Sequence, residues 1–82
     1  MFKRTYKPTP FEITIQMREW KKEEGLKFNI LYRYRKGILE IFTEEPGIII
    51  GFRGQRIDRL NEKLKSVKGF KKCIITYIRD YV

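Results

Sequence analysis

The first apolar repeat in the chain fits either a strand or a helix. From Phe11 to Met17 apolar and polar residues alternate as in a strand, whereas Ile13, Met17 and Trp20 recur at helical spacing. Both periods fit the same segment, so the flanking residues decide between them.

These flanking residues favour the helix. Thr9 precedes Pro10, and Glu12 follows two positions later. This pattern matches a capping box in which Thr9 is the N-cap and Pro10 the first helical residue. Gly25 follows two lysines and is typical of a helix C-terminus. We therefore predict a helix over residues 10–24.

Three later segments have the pattern of strands. LKFNILYRY (26–34) and GILEIFT (37–43) alternate, with Arg35-Lys36-Gly37 as the turn of a hairpin. KKCIITYI (71–78) is rich in β-branched and aromatic residues. Alternation directs one set of these side chains inward: Phe28, Ile30, Tyr32, Leu39, Ile41, Cys73, Ile75 and Tyr77.

Residues 55–67 have helical periodicity and a segregated charge pattern. The apolar face contains Ile57, Leu60, Leu64 and Val67, with Arg56, Arg59 and Lys63 on one flank and Asp58 and Glu62 on the other. A solvated face of mixed charge is the ordinary expectation for such a helix. The separation by sign favours a stripe that follows phosphates.

Composition narrows the class of partner. The 82 residues suffice for one domain, and a net charge of +9 with a pI near 9.9 favours polyanionic partners such as nucleic acid or an acidic membrane surface. No apolar run has the length of a membrane span, and the N-terminus lacks the apolar stretch of a signal peptide. We expect a cytoplasmic or organellar interior, and no membrane partner.

The residue inventory argues against an enzyme. The chain has no histidine and a single cysteine, Cys73, which excludes a His/Cys metal site and imidazole catalysis. The carboxylates Glu40, Glu44 and Glu45 have no nucleophile or base to work with. We expect no catalytic residue, no metal and no cofactor.

The segment PGIIIGFRGQRI (46–57) joins the hairpin to the second long helix. It contains an apolar pair, then Gly-x-x-Gly and then an apolar residue three positions later. This pattern resembles the signature of the KH domain. Element order resembles the type II arrangement, as in the KH domain of small-subunit ribosomal protein number three, and the similarity extends over residues 10–79.

The resemblance implies an α+β fold of order α-β-β-α-α-β. Three helices would pack on one face of a three-stranded mixed sheet, with residues 1–9 as a basic arm and 10–82 as the domain. It also implies that Pro46 to Ile50 form a short helix against their strand propensity. The ribosomal homologue has a further domain, so a free-standing protein or a part of a longer one is the expectation here.

For function, the resemblance implies binding of single-stranded RNA without catalysis. Gly51 and Gly54 lack Cβ atoms, so a phosphate can approach the amides at the start of the following helix, and Arg53 adds a forked cation. The candidate nucleic-acid-binding residues are Gly51, Phe52, Arg53, Gly54, Gln55, Arg56, Arg59 and Lys63. The candidate apolar floor of the groove is Ile49, Ile50, Ile57 and Ile75, although core packing explains each isoleucine taken alone.

Several alternatives stay open. Phe52 departs from the family pattern and either stacks on a base or folds back and narrows the groove. The outer sheet face carries Leu31, Ile38, Phe42, Ile74 and Ile78, an apolar set that predicts self-association or docking to a protein. Single-stranded DNA is an alternative ligand, and a KH scaffold that serves a protein partner is the alternative function. Lys68, Lys71 and Lys72 add unspecific attraction in the loop before the last strand.

Overall fold

The computed structural model describes residues 9–78 and folds them into three helices and three strands. They are α1 (Phe11–Glu23), β1 (Leu31–Arg35), β2 (Ile38–Thr43), α2 (Pro46–Ile50), α3 (Gln55–Leu64) and β3 (Lys72–Tyr77). A 3₁₀ turn, Phe52–Gly54, joins α2 to α3. The short helix predicted against strand propensity is confirmed with its bounds. The predicted arm lies outside the described residues except for Thr9.

The three strands form one mixed sheet in the order β1-β2-β3. β1 pairs with β2 antiparallel through a two-residue turn, Lys36-Gly37, in which both residues have positive φ (52° and 84°), as a type I′ turn requires. β2 pairs with β3 parallel, from Ile38 opposite Lys72 to Thr43 opposite Tyr77. The connection between these parallel strands contains α2 and α3, as a parallel pair requires. The predicted α+β class with a mixed sheet is confirmed.

The core joins all three helices to the inner face of the sheet. Its fully buried side chains are Ile13, Trp20, Leu39, Ile41, Ile49, Leu60 and Leu64. The indole N–H of Trp20 donates to the backbone oxygen of Arg56 over 2.9 Å, so α1 is anchored at the first turn of α3. Tyr32, Cys73 and Ile75 pack against this core as their alternation predicted.

α1 is one residue shorter than predicted at each end, Phe11–Glu23 rather than 10–24, whereas the predicted stop signal at Gly25 is confirmed. Pro10 is the N-cap, and no side chain caps the helix, so the capping box with Thr9 is absent. The carbonyl of Pro10 accepts from Ile13 and Thr14 instead. At the other end Gly25 donates to Lys22 and the next residue donates to Lys21, the paired bonds of a Schellman turn.

Two further boundaries differ from prediction. β1 begins at Leu31 and not at residue 26, and Phe28, predicted to point inward, is 42% exposed. α3 ends at Leu64, and in the turn that follows the Ser66 hydroxyl donates to the carbonyl of Lys63. Val67 still reaches the core from this turn, with 7% of its surface exposed.

Candidate nucleic-acid interface

The two glycines of the loop between α2 and α3 have different surroundings. Gly51 has φ 79° and ψ 178°, a region nearly confined to glycine, and a Cβ there would lie 2.5 Å from the Cβ of Arg56. Gly54 is left-handed with φ 74°, but a Cβ there would meet nothing within 4 Å. Packing of α3 therefore requires a glycine at 51, whereas position 54 presents bare backbone at an open surface.

Between the glycines, Phe52 and Arg53 project outward. Phe52 is 74% exposed, and the guanidinium of Arg53 lies 5.1 Å from the centre of its ring. Arg53 has φ 53°, the left-handed conformation that turns both side chains out of the loop. Of the two alternatives for Phe52, folding back onto the protein is not observed. The loop presents an aromatic ring paired with a cation.

The amides at the start of α3 are less available than the sequence predicted. The Gly54 N–H donates to the carbonyl of Gly51 over 3.1 Å, and the Gln55 N–H donates to that of Phe52. Loop closure therefore uses two of the donors that were assigned to a phosphate. The exposed charge of the loop comes from Arg53.

Arg56 and Arg59 form ion pairs with one glutamate of α1's C-terminal turn. Arg59 holds Glu24 with two bonds, of 2.5 and 2.7 Å, and Arg56 adds a third of 3.3 Å while donating to the carbonyl of Ile48 over 2.6 Å. The Glu24 side chain is only 7% exposed. Its hydrogen bond with Arg59, followed by that with Arg56, holds the pKa of Glu24 below its ordinary value.

Lys63, one turn further along α3, repeats this pattern. Its ammonium lies 2.9 Å from Glu23 and 3.9 Å from Glu19. Contacts that start from residues further back along α1 therefore reach residues further forward along α3, so the two helices are antiparallel. In this structure the three basic residues of the predicted phosphate-tracking stripe form ion pairs with glutamates in the C-terminal half of α1 and just after it.

The isoleucines predicted to floor a groove divide into three groups. Ile49 is fully buried and belongs to the core, so it is not part of any surface. Ile57 and Ile75 are partly buried against that core. Ile50 is 37% exposed, and its neighbour Ile48, which the sequence did not single out, is 41% exposed. Three consecutive isoleucines in one helical turn must point in different directions, but their sequence does not say which one is buried.

A second apolar surface was missed by sequence reasoning. An open cavity of about 250 Å³ lies where β1 begins and β2 ends, and Phe28, Leu31 and Ile48 are exposed around it. Glu44 and Glu45 also line the cavity. These two carboxylates disfavour phosphate there, so the cavity differs from the loop in chemistry.

The outer face of the sheet is more polar than predicted. Leu31 is 64% and Ile74 37% exposed. Between them Glu40 accepts from Arg33 over 2.7 Å and from Thr76 over 2.6 Å. Strand alternation also places Arg33, Glu40 and Thr76 on this face, but only the structure shows the hydrogen bonds that join them.

No match to this chain is found among models of protein families, curated proteins or solved structures. Within residues 9–78 no helix is long and apolar enough to cross a membrane. The same residues contain no cluster of three or more side chains suited to hold a metal ion. A function for this chain therefore has to follow from its own geometry.

Proposed function

We propose that the chain is a type II KH module that binds single-stranded RNA, without catalysis, through the loop Gly51–Gly54. The observation that supports this most strongly is the loop itself, which is exposed between two helices with Phe52 and Arg53 pointing outward. The order of elements and the mixed sheet agree with the arrangement that the KH resemblance implies.

In this proposal a phosphate approaches the loop at Gly54, where no atom lies within 4 Å of the Cβ that a larger residue would carry. Arg53 supplies a forked donor to the phosphate, and the positive end of the α3 dipole favours the same charge. The exposed ring of Phe52 stacks on a base, an interaction worth about 1–3 kcal/mol. Ile50 provides apolar contact beside it.

The ion pairs of α3 reduce the expected electrostatic share of binding. Three neutralised phosphates would give a slope of log affinity against log salt of about −2 for a single strand. With Arg56, Arg59 and Lys63 engaged by glutamates, one or two neutralised phosphates give a slope nearer about −1 at the loop. Stacking and backbone contact then carry most of the affinity.

The test is a fluorescence-anisotropy titration of labelled RNA and DNA with wild type and with Phe52→Asp/Arg53→Asp. Aspartate tolerates the left-handed conformation at position 53, so the fold is kept. The matched control is Phe11→Asp/Arg18→Asp, which changes the same residue types on the exposed side of α1. We expect the loop variant to bind at least about tenfold more weakly, because one stacked base and one phosphate contact are lost.

Equal binding by wild type and loop variant would refute the role of the loop. An equal loss of affinity in the loop variant and the α1 control variant would show that the effect comes from net charge alone. Equal affinity for DNA and RNA would mean that the ligand is single-stranded nucleic acid in general and not RNA in particular.

The second candidate is a KH scaffold that serves a protein partner. The observations that favour it are the ion-paired cations of α3 and the exposed apolar residues around the cavity: Phe28, Leu31 and Ile48. If wild type binds neither nucleic acid in the titration, this candidate replaces the first.

A further inference from the structure

The hairpin turn and the loop before β3 meet at one end of the sheet. The carbonyl of Gly37 accepts from the N–H groups of Lys71 (2.7 Å) and Lys72 (3.3 Å), and a Cβ on Gly37 would lie 2.5 Å from the carbonyl oxygen of Gly69. β2 and β3 both begin here, whereas the glycine loop precedes α3, which runs back toward this end. A ten-residue α3, about 15 Å long, and the turn after it connect the glycine loop to this end of the sheet.

This contact gathers four exposed cations from two distant segments. The hairpin cluster, as we name it, consists of Arg35, Lys36, Lys71 and Lys72. None of them forms an ion pair within residues 9–78, in contrast to Arg56, Arg59 and Lys63 of α3. Like charges held together without counter-charge repel one another, so an anion bound there relieves the repulsion.

A shallow depression lies beside the cluster on the outer face of the sheet. Its volume is about 320 Å³, and its lining residues are Arg33, Arg35, Lys36, Ile38, Glu40 and Ile74. The carboxylate of Glu40 already accepts from Arg33 and Thr76. Apolar side chains flanked by guanidinium groups are suited to an unstacked base, since bases stack on arginine planes.

We propose that the hairpin cluster and this depression form a second contact for a nucleic-acid strand. A strand held at the glycine loop then gains affinity only when it is long enough to reach this end of the sheet. This inference rests on the proposed function, because the loop is where the strand is first held. The chemistry of the ligand follows independently from the positive charges of the hairpin cluster. A phosphate backbone supplies repeated anions, as four spaced cations require.

The experiment compares two variants that each lose four positive charges. The cluster variant is Arg35→Gln, Lys36→Asn, Lys71→Gln and Lys72→Gln, with asparagine chosen because Lys36 has φ 52°. The control variant is Arg18→Gln, Lys21→Gln, Lys22→Gln and Lys27→Gln, on α1 and the segment after it. Circular dichroism melts establish that both fold. Each is titrated with oligouridine RNA of about five nucleotides, little longer than the four that a KH loop holds, and of about fifteen.

We expect the cluster variant to differ from the control variant only in the binding of the long RNA. Four fewer phosphate contacts make the slope of log affinity against log salt shallower by about 3. When the salt concentration rises fourfold, the affinity of wild type for the long RNA should therefore fall roughly 50-fold more than the affinity of the cluster variant. The short RNA should bind the cluster and control variants alike, since both have the same net charge. The proposal would be overturned if the affinity of the long RNA had the same salt dependence for the cluster and control variants. It would also be overturned if the cluster variant lost affinity equally for the short and the long RNA.

The loop variant separates this inference from the proposed function. If Phe52→Asp/Arg53→Asp leaves long-RNA binding intact while the cluster variant loses it, the cluster stands as a nucleic-acid contact and the loop does not. If only the loop variant loses binding, the loop stands and the cluster inference fails.

Discussion

Replacing Gly51 by alanine tests the finding that this glycine serves packing rather than ligand approach. The new Cβ would lie 2.5 Å from the Cβ and 3.1 Å from the backbone nitrogen of Arg56, both rigid parts of α3. The backbone at position 51 would also keep a conformation that non-glycine residues rarely adopt. Both effects act on the folded state.

The expected cost follows from these two effects. Backbone strain contributes about 1–3 kcal/mol and overpacking a similar amount, so Gly51→Ala should lower the free energy of unfolding by about 2–6 kcal/mol. A chain of this length is stable by only about 4–12 kcal/mol. Gly54→Ala carries the left-handed strain without the clash and should cost about 1–2 kcal/mol. Gly47→Ala, in α2 with open space around it, should be neutral or stabilising by about 0.5 kcal/mol.

Urea unfolding followed by circular dichroism measures all three variants. The expected order of stability is Gly47→Ala, then Gly54→Ala, then Gly51→Ala, with a melting temperature at least about 10 °C below wild type for the last. If Gly51→Ala is as stable as Gly54→Ala, the close approach of α3 to the loop is not present in solution. RNA affinity should show a different order among folded variants, since Gly54→Ala adds a Cβ on the open surface where a phosphate is proposed to lie.

Three further predictions test the contacts around α1 and the sheet. Because Arg59 and then Arg56 lower the pKa of Glu24 below 4.5, this carboxylate stabilises the fold above that pH and the contribution disappears as the pH falls through the lowered pKa. Glu24→Gln should therefore lose less stability than wild type between about pH 7 and pH 3 in urea melts, and equal losses would contradict the ion pairs. Trp20→Phe removes the indole that donates to the Arg56 carbonyl and shrinks a fully buried side chain, so it should cost about 2–4 kcal/mol by thermal unfolding, whereas a change below about 0.5 kcal/mol would contradict this contact. Burial raises the pKa of the Cys73 thiol to about 12, so iodoacetamide at about pH 8 should label the folded protein far more slowly than the urea-unfolded chain; equal rates would place the thiol at the surface.

The order of elements was readable from the chain because it depends on local patterns. Apolar alternation marked the strands, helical spacing marked α1 and α3, and Gly25 marked the end of α1. The short helix α2 is different, since its isoleucines favour a strand and only the resemblance to KH domains predicted a helix there. The capping box failed because a suitable residue at the N-cap position does not by itself form the bond.

The candidate site depended more on contacts between elements. In the sequence the cations of α3 resemble those of the hairpin cluster, but Glu24, which pairs with both Arg56 and Arg59, lies 32 and 35 residues before them. No local pattern reports such a partner, because ion pairing depends on which helices lie side by side.

The sequence alone determined the element order and most of the core, through patterns of residues close together along the chain and, for α2, through the resemblance to KH domains. Tertiary structure alone decided which isoleucine is buried, which glycine is needed for packing and which cations stay unpaired. It also brought Lys36 beside Lys71 through the backbone of Gly37. These properties depend on distances between segments, and folding sets those distances only when the core closes.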